Sequence, residues 1–198
     1  MINSPTICIA RHGHRFDFVY PQWFNTALRR YDPPLSLLGQ TQAQELGLKL
    51  QHRSIDHIIV SPFLRTIQTG HIIAEMLNLP LQLEAGLGEW HNPHWMSETP
   101  CLHPQEELAP FYPLINWEYR SNLTPVYPET QTMVLARMER IIDILMTKFT
   151  GNLLLIGHSI TVTGITQALL NSKLEIPVDF CSMMEIAKKD NQWQLMTS

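Results

Sequence analysis

TICIARHGHR, residues 6–15, joins a short apolar run to a charged cluster, and this junction decides the fold class of the chain. The run Thr6–Ala10 includes β-branched residues and predicts a strand. The cluster that follows places Gly13 directly after a histidine, where the backbone can turn tightly and approach a ligand closely. Arg11 and Arg15 flank that turn with planar sets of donors that match phosphate oxygens. The junction therefore predicts a strand that ends at an anion-binding turn.

Three further apolar runs predict strands, and polar residues follow each of them within a few positions. The runs are Ile58–Val60, Leu81–Leu83 and Leu153–Ile156. The polar groups that follow are the cluster at 61–65, which contains Arg65, then Glu89, and then His158. In open parallel sheets ligands bind at the carboxyl ends of the strands. We therefore expect these groups to meet the first cluster at one edge of a sheet.

Helices are predicted between the strands, and their order sets the architecture. They span Leu38–Leu50, Ser61–Leu77, Thr130–Phe149 and Ser159–Leu170. Ser61 is expected to cap the second of these, because a serine before a proline is typical of a helix start. The chain ends in two antiparallel candidates, Cys181–Ala187 and Gln192–Met196. Alternating strands and helices predict a single three-layer α/β/α domain over residues 1–198, with a mainly parallel central sheet.

One segment breaks this alternation. Between His91 and Pro128 the chain carries seven prolines and no regular apolar period. A long irregular stretch inside a compact domain is most often functional. We predict that residues 91–129 form an inserted lid with at most short helices.

Composition excludes several classes of protein. The chain has 198 residues, 44% of them hydrophobic, and a formal charge of −4, which disfavours a nucleic-acid partner. It has no apolar run long enough for a bilayer, no basic-then-apolar secretory signal, and three scattered cysteines. These features predict a cytoplasmic protein with reduced thiols and no membrane association.

Two of the clustered residues invite a chemical interpretation. A nucleophilic histidine must be neutral at its attacking nitrogen, so the other ring nitrogen of His12 should donate to a fixed acceptor such as the carbonyl of Gly13. Neighbouring cations would oppose protonation of the ring. Glu89 lies beside Trp90, and partial burial there is expected to raise its pKa and keep it protonated as a general acid.

The clusters together resemble the phosphoglycerate-mutase-like branch of the histidine phosphatase superfamily. The motifs that carry the resemblance are Arg11-His12-Gly13, Gly39 with Gln42-Ala43, Ser61-Pro62 with Leu64-Arg65, Gln68-Thr69, Glu89, and Gly157-His158. Within that branch the chain is most similar to the suppressor-of-T-cell-receptor-signalling and ecdysteroid-phosphate phosphatase domains. This closer likeness is carried by Arg15 with Asp17, Trp23, Asp56-His57, the run 84–90, Phe180-Cys181-Ser182 and Trp193-Gln194-Leu195.

The resemblance implies a phosphoglycerate-mutase-like fold and a metal-independent phosphomonoester hydrolase without a cofactor. It implies that His12 attacks phosphorus and becomes a phosphohistidine, and that Glu89 serves as general acid and then base. It also implies a phosphate pocket, formed by Arg11, Arg15, Arg65 and His158. The substrate would be a small molecule or a phosphoprotein, and related domains often form homodimers.

Other readings of the same residues remain to be tested. His12 and His14 are possible metal ligands, although alternating residues of an extended segment point to opposite sides. Ser159 follows a strand as a hydrolase nucleophile would, but the final glycine of that motif is replaced by Thr161. Within the superfamily the alternatives are a phosphoglycerate mutase and an inactive phosphate-binding module. The aromatic residues expected to form an apolar pocket wall, suited to an aromatic or hydrophobic ester, are Phe16, Phe18, Tyr20, Trp23 and Trp90.

Overall fold

The computed structural model describes residues 5–174 and 176–196, and its strands form one six-stranded sheet. The strands are β1 (Thr6–Arg11), β2 (His57–Val60), β3 (Leu81–Leu83), β4 (Leu153–Gly157), β5 (Met183–Lys189) and β6 (Gln192–Leu195). Their order across the sheet is β3-β2-β4-β1-β5-β6. The first four strands run parallel, whereas β5 and β6 are antiparallel to their neighbours. The prediction of a mainly parallel sheet is confirmed.

Helices cover both faces of the sheet. They are α1 (Trp23–Thr26), α2 (Leu37–Leu50), α3 (Leu64–Leu77), α4 (Gln105–Leu108), α5 (Gln131–Lys148) and α6 (Ser159–Leu170). Successive residues of a strand point to opposite faces, so β1 feeds two separate cores. Cys8 and Ala10 pack with residues of α2 and α3, whereas Ile7 and Ile9 pack with residues of α5 and α6. The three-layer α/β/α architecture is confirmed.

The start of α3 differs from the prediction. The helix begins at Leu64, with Phe63 as its cap residue, rather than at Ser61-Pro62. Ser61 forms a side-chain hydrogen bond with His158 instead of capping the helix, since its hydroxyl oxygen lies 2.9 Å from Nε2 of that ring. Its carbonyl accepts a hydrogen bond from the hydroxyl of Thr66 at 2.7 Å. Arg65 nevertheless stays in the first turn of the helix.

The strand predicted to begin at Cys181 begins at Met183. Cys181 has φ +53°, which lies outside the β region, and so the ladder cannot include it. The last strand ends at Leu195, within one residue of its predicted end. Both strands are antiparallel, as predicted.

Residues 91–129, the segment predicted to form a lid, contain one four-residue helix, α4, among the elements that the structure assigns there. Glu84, which follows β3 at the edge of the sheet, anchors the C-terminal part of this segment. Its buried carboxylate accepts hydrogen bonds from Tyr119, Ser121 and Asn122. This segment is therefore irregular chain that is anchored at Glu84, directly after β3.

No helix in the described part of the chain is long and apolar enough to cross a membrane.

Candidate active site

Four polar side chains converge at the carboxyl ends of the parallel strands. His12 follows β1, His158 follows β4, and Arg65 lies in the first turn of α3 after β2. Glu89 comes shortly after β3, behind a single 3-10 turn at Ala85–Leu87. The sheet thus brings together residues that are far apart in sequence, as the strand–cluster pattern predicts.

The ring of His12 is buried and held in one orientation. Its Nδ1 lies 2.7 Å from the carbonyl oxygen of Gly13, so Nδ1 carries the proton and donates. Nε2 is left with a lone pair, and it accepts a hydrogen bond from Nε of Arg65 at 3.3 Å. Burial, then the charge of Arg65 and the neighbouring His158, lower the pKa of His12 well below its usual value. A neutral imidazole with an available Nε2 is the state a nucleophile requires.

Arg65 occupies the centre of the site. Its Nη1 donates to the carbonyl of Tyr31 at 3.2 Å, and its Nη2 lies 3.4 Å from Oε2 of Glu89 and 3.2 Å from Nδ1 of His158. The guanidinium carbon sits 4.5 Å from the centroid of the Phe63 ring. Burial lowers the pKa of Arg65 to about 10, so the side chain still carries its charge at neutral pH. A buried cation is thereby aimed at the space beside Nε2 of His12.

His158 is fully buried between two oxygen partners. In the Nδ1–H tautomer, the Ser61 hydroxyl donates to Nε2 at 2.9 Å and Nδ1 donates toward Oε2 of Glu89 at 3.3 Å. Nη2 of Arg65 lies 3.2 Å from the same Nδ1 and makes no hydrogen bond to it in this tautomer. Burial lowers the pKa of His158 to about 4, against an opposing effect of Glu89. The ring meets His12 edge-on, with 5.3 Å between centroids. A neutral ring in this tautomer presents a hydrogen-bond donor to the pocket.

The prediction that burial raises the pKa of Glu89 is wrong, because the pKa is lowered. Burial opposes its charged form, but the charge interaction and hydrogen bond with His158, and then the charge of Arg65, outweigh burial and hold the pKa of Glu89 well below the usual value. The side chain is 15% exposed and therefore keeps a route to solvent. The carboxylate is ionised in this arrangement, and protonation requires that the surrounding positive charge be offset.

Two more arginines lie at the edge of this group. Arg11 donates to the carbonyl of Val178 at 2.8 Å and stacks on Phe180, with its guanidinium carbon 4.0 Å from the ring centroid. Its Nε is buried and lacks a hydrogen-bond partner among residues 5–174 and 176–196. Arg15 forms an ion pair with Asp17, and its charge contributes to lowering the pKa of Arg11, after the larger effect of burial. The site therefore holds three guanidinium groups and the carboxylate of Glu89, while Asp17 pairs with Arg15 and the buried Asp32 lies 4.0 Å from Nη1 of Arg65.

His14 does not join His12. Its Nδ1 lies 2.9 Å from the Ser36 hydroxyl, and its ring packs edge-on against Phe180. Within the described residues, no group of three or more histidines, cysteines or carboxylates is placed to hold a metal ion.

The turn after His12 depends on glycine at two contacting positions. A Cβ at Gly13 would overlap the carbonyl of Gly39, and a Cβ at Gly39 would overlap the carbonyl of His14. The backbone directly after β1 therefore contacts the backbone of the first turn of α2. This contact fixes where His12 stands relative to the rest of the site.

Sequence reasoning missed several residues that build the site. The sequence pattern indicates a helix cap at Ser61 and gives Phe180 no role beyond a motif. Asp32, which is buried, accepts hydrogen bonds from the Leu64 backbone at 2.7 Å and from Nδ1 of His103 at 2.8 Å. Its only sequence signal is an aspartate before two prolines, which reads as a turn.

Comparisons with known proteins agree with this geometry. The model of the histidine phosphatase superfamily (branch 1) matches residues 7–198. The ecdysteroid-phosphate phosphatase of Drosophila melanogaster is 26% identical over 96% of this chain and 31% of its own length. The transcription factor tau 55 kDa subunit of Saccharomyces cerevisiae is 36% identical over 61% of this chain and 29% of its own. The chain thus spans about a third of the length of these curated relatives.

Solved structures share the fold. The ecdysone phosphate phosphatase from Bombyx mori superposes with a TM-score of 0.79 at 22% identity, covering 98% of this chain and 92% of that one. A mycobacterial glucosyl-3-phosphoglycerate phosphatase gives a TM-score of 0.68 at 20% identity, covering 98% and 99%. The family predicted from the motifs is confirmed, and this chain belongs to branch 1 of the histidine phosphatase superfamily.

Proposed function

We propose that this chain hydrolyses phosphomonoesters through a phosphohistidine on His12, without a metal ion. The observation that carries the proposal is the ring of His12. Burial and the charge of Arg65 keep this ring neutral, and the Gly13 carbonyl fixes its proton on Nδ1, so that Nε2 faces the guanidinium of Arg65. A phosphoryl group at that point would meet cations on several sides. Charge stabilisation of this kind is where phosphoryl-transfer enzymes gain most of their rate.

In the first step, the Nε2 lone pair of His12 attacks phosphorus in line, and the bond from phosphorus to the ester oxygen breaks. The phosphorylated ring carries a positive charge, which its Nδ1–H shares with the carbonyl of Gly13. Glu89 supplies the proton that the leaving oxygen needs. It acquires that proton when the substrate enters, because a phosphate group with nearly two negative charges offsets the cationic surroundings that hold its pKa low.

In the second step, Glu89 is a carboxylate and acts as general base. It takes a proton from water, and the water oxygen attacks phosphorus as the phosphorus–nitrogen bond to His12 breaks. Inorganic phosphate forms, the Nε2 lone pair returns to His12, and the proton on Glu89 balances the one it gave in the first step. Arg11, Arg15, Arg65 and the Nδ1–H of His158 are assigned to the phosphoryl oxygens.

An apolar or aromatic ester is the substrate class we propose. A cavity of about 480 Å³ is lined by residues that include His14, Phe16 and Tyr20, and by none of His12, Arg65, Glu89 and His158. It adjoins the site through Phe180, whose ring packs against both His14 and His12. Trp23 packs edge-on against Phe16 behind this wall. Trp90 does not belong to it, since its ring packs on Trp95 and its indole N–H donates to the carbonyl of Glu129. Relatives named for ecdysteroid phosphates point to the same class of ester.

A second candidate is a phosphate-binding module without turnover. It is favoured by one observation, the 36% identical relative that is named as a transcription factor subunit rather than as an enzyme. The full set of polar residues around His12 favours catalysis over binding alone.

One assay separates the candidates. Chelator-treated protein is given para-nitrophenyl phosphate, hexyl phosphate, glucose 6-phosphate, and 3-phosphoglycerate with its bisphosphate cofactor. We expect phosphate release, fastest from the first two esters, and an acid-labile, base-stable phosphoryl adduct after quenching mid-turnover. His12→Ala should lose at least ~10³-fold in kcat/KM, whereas His52→Ala, at an exposed loop position, should match wild type. Phosphate binding without release would support the module, and transfer to 3-phosphoglycerate would support a mutase.

A further inference from the structure

Arg137 is a buried cation on α5 that contacts the backbone of the loop carrying Glu89. It is 8% exposed, and its side chain is absent from the steps proposed above. Long helices on a protein surface usually direct arginines to solvent. A buried arginine therefore calls for partners that satisfy its whole guanidinium group.

All five N–H donors of Arg137 have acceptors. Nε and Nη2 donate to the two carboxylate oxygens of Glu129, each at 2.7 Å. Nη1 donates to the carbonyls of Gly86 at 2.8 Å and Gly88 at 3.0 Å. Nη2 also donates to the carbonyl of Glu89 at 3.0 Å. A guanidinium has five such donors in a fixed fork, so this set is complete.

Three of these acceptors are backbone carbonyls of the loop that carries Glu89. The loop comprises the 3-10 turn Ala85–Leu87 and the residues after it, and it belongs to no sheet ladder. Before Gly88 it is also held by the Thr161 hydroxyl, which donates to the Leu87 carbonyl at 2.9 Å, and by the hydrogen bonds of the turn itself. At the carbonyls of Gly88 and Glu89 the donor is Arg137. Glu129 extends the restraint to the other side of Glu89. Its carboxylate accepts from the His91 backbone at 3.1 Å, and its carbonyl accepts from the Trp90 indole at 2.9 Å.

The carboxylate of Glu89 is held much more loosely than its backbone. Its contacts to Arg65 and His158 are 3.4 and 3.3 Å long, and its remaining hydrogen bond comes from the adjacent Trp90 backbone at 3.1 Å. Charge-assisted hydrogen bonds that fix a group are usually shorter, near 2.7–2.9 Å. The position of this carboxylate is therefore set largely by the loop beneath it.

We propose that Arg137, locked by Glu129, is a positioning residue that sets the distance between the Glu89 carboxylate and the leaving oxygen of the substrate. The inference rests on the proposed function, since it needs Glu89 to be the general acid. An acid must reach the leaving oxygen at hydrogen-bond distance, and small misplacements cost large factors in rate. A residue that merely stabilises the fold would not act on one chemical step in this way.

The test uses the dependence of rate on the leaving group. Esters with poor leaving groups need acid assistance more than esters with good ones. We compare kcat/KM for hexyl phosphate and para-nitrophenyl phosphate in wild type, Glu89→Gln and Arg137→Lys. Lysine retains the charge but cannot span the carboxylate and three carbonyls at once. Arg140→Lys is the matched control, because that residue lies one turn further along α5 and is exposed.

We expect Arg137→Lys to slow the alkyl ester by about tenfold or more relative to the aryl ester, in the direction of Glu89→Gln. In the double variant the two effects should not add, because both act through one carboxylate. Glu129→Gln keeps Arg137 and should show the same bias, which preserves the test if Arg137→Lys fails to fold.

Equal slowing of both esters by Arg137→Lys and Glu129→Gln, alongside a biased Glu89→Gln, would overturn the positioning role and leave the proposed function intact. A Glu89→Gln variant that slows both esters equally would remove Glu89 as the acid, and the positioning role would fall with it.

Discussion

The pH dependence of stability should reveal the buried neutral state of His158. Burial lowers the pKa of this ring to about 4, compared with 6.5 for an exposed imidazole. Between those two pH values the unfolded chain binds a proton at His158 and the folded chain does not. The stability associated with the ring is therefore complete above pH 6.5 and is lost as the pH falls toward 4.

The size of the effect follows from the same two values. One pKa unit corresponds to about 1.4 kcal/mol, and integration of the proton difference from pH 7 to pH 5 gives about 2 kcal/mol for His158 alone. The pKa of His12 is also lowered by burial, so wild type should lose more than this in total, in the same direction. We expect His158→Asn to lose about 2 kcal/mol less than wild type over this range.

The assay is urea unfolding at several pH values, extrapolated linearly to water. His52→Asn is the control, since it removes a histidine that remains in contact with solvent, and its curve should follow wild type. Parallel pH curves for wild type and His158→Asn would refute the reasoning. They would mean that the ring takes up its proton in the folded state as readily as in the unfolded one.

Three other outcomes can be checked directly. Ser61→Ala should lower the unfolding free energy by about 1–3 kcal/mol and reduce turnover, because Nε2 of His158 loses its buried partner; unchanged urea curves would argue against the contact. Gly39→Ala should cost about 1–3 kcal/mol in a thermal melt, because the new methyl group meets the His14 backbone. Gly47→Ala on the same helix, whose Cβ would meet only a flexible side chain, should cost less. Phosphatase activity should survive exhaustive chelation, and its loss would revive a metal mechanism.

Local patterns were enough to predict most elements of the fold. The apolar run after Thr6 gives β1, and Thr130 caps α5 by accepting a hydrogen bond from the Met133 backbone. These features depend on residues within one or two turns of each other. The convergence of His12 and His158 could also be predicted, because parallel strands place their carboxyl ends at one edge.

The errors have a different physical origin. The cap role of Ser61 and the pKa of Glu89 both depend on His158, which lies far away in sequence. A local pattern contains no information about such a distant partner. It therefore indicates only the local effects, which are capping for Ser61 and a pKa raised by burial for Glu89. Arg137 gave no signal at all, because a charged residue on an amphipathic helix reads as a solvent-facing one.

The order of the strands has a consequence for the folding of this protein during its synthesis. β4 lies between β1 and β2 in the sheet, although it is made long after both of them. Until residues 153–157 have been synthesised, β1 and β2 lack the strand that lies between them in the sheet. A growing chain that ends before β4 therefore lacks both the central strand of the sheet and His158, which follows that strand. Activity from two separated pieces would require that they reassemble around that central strand.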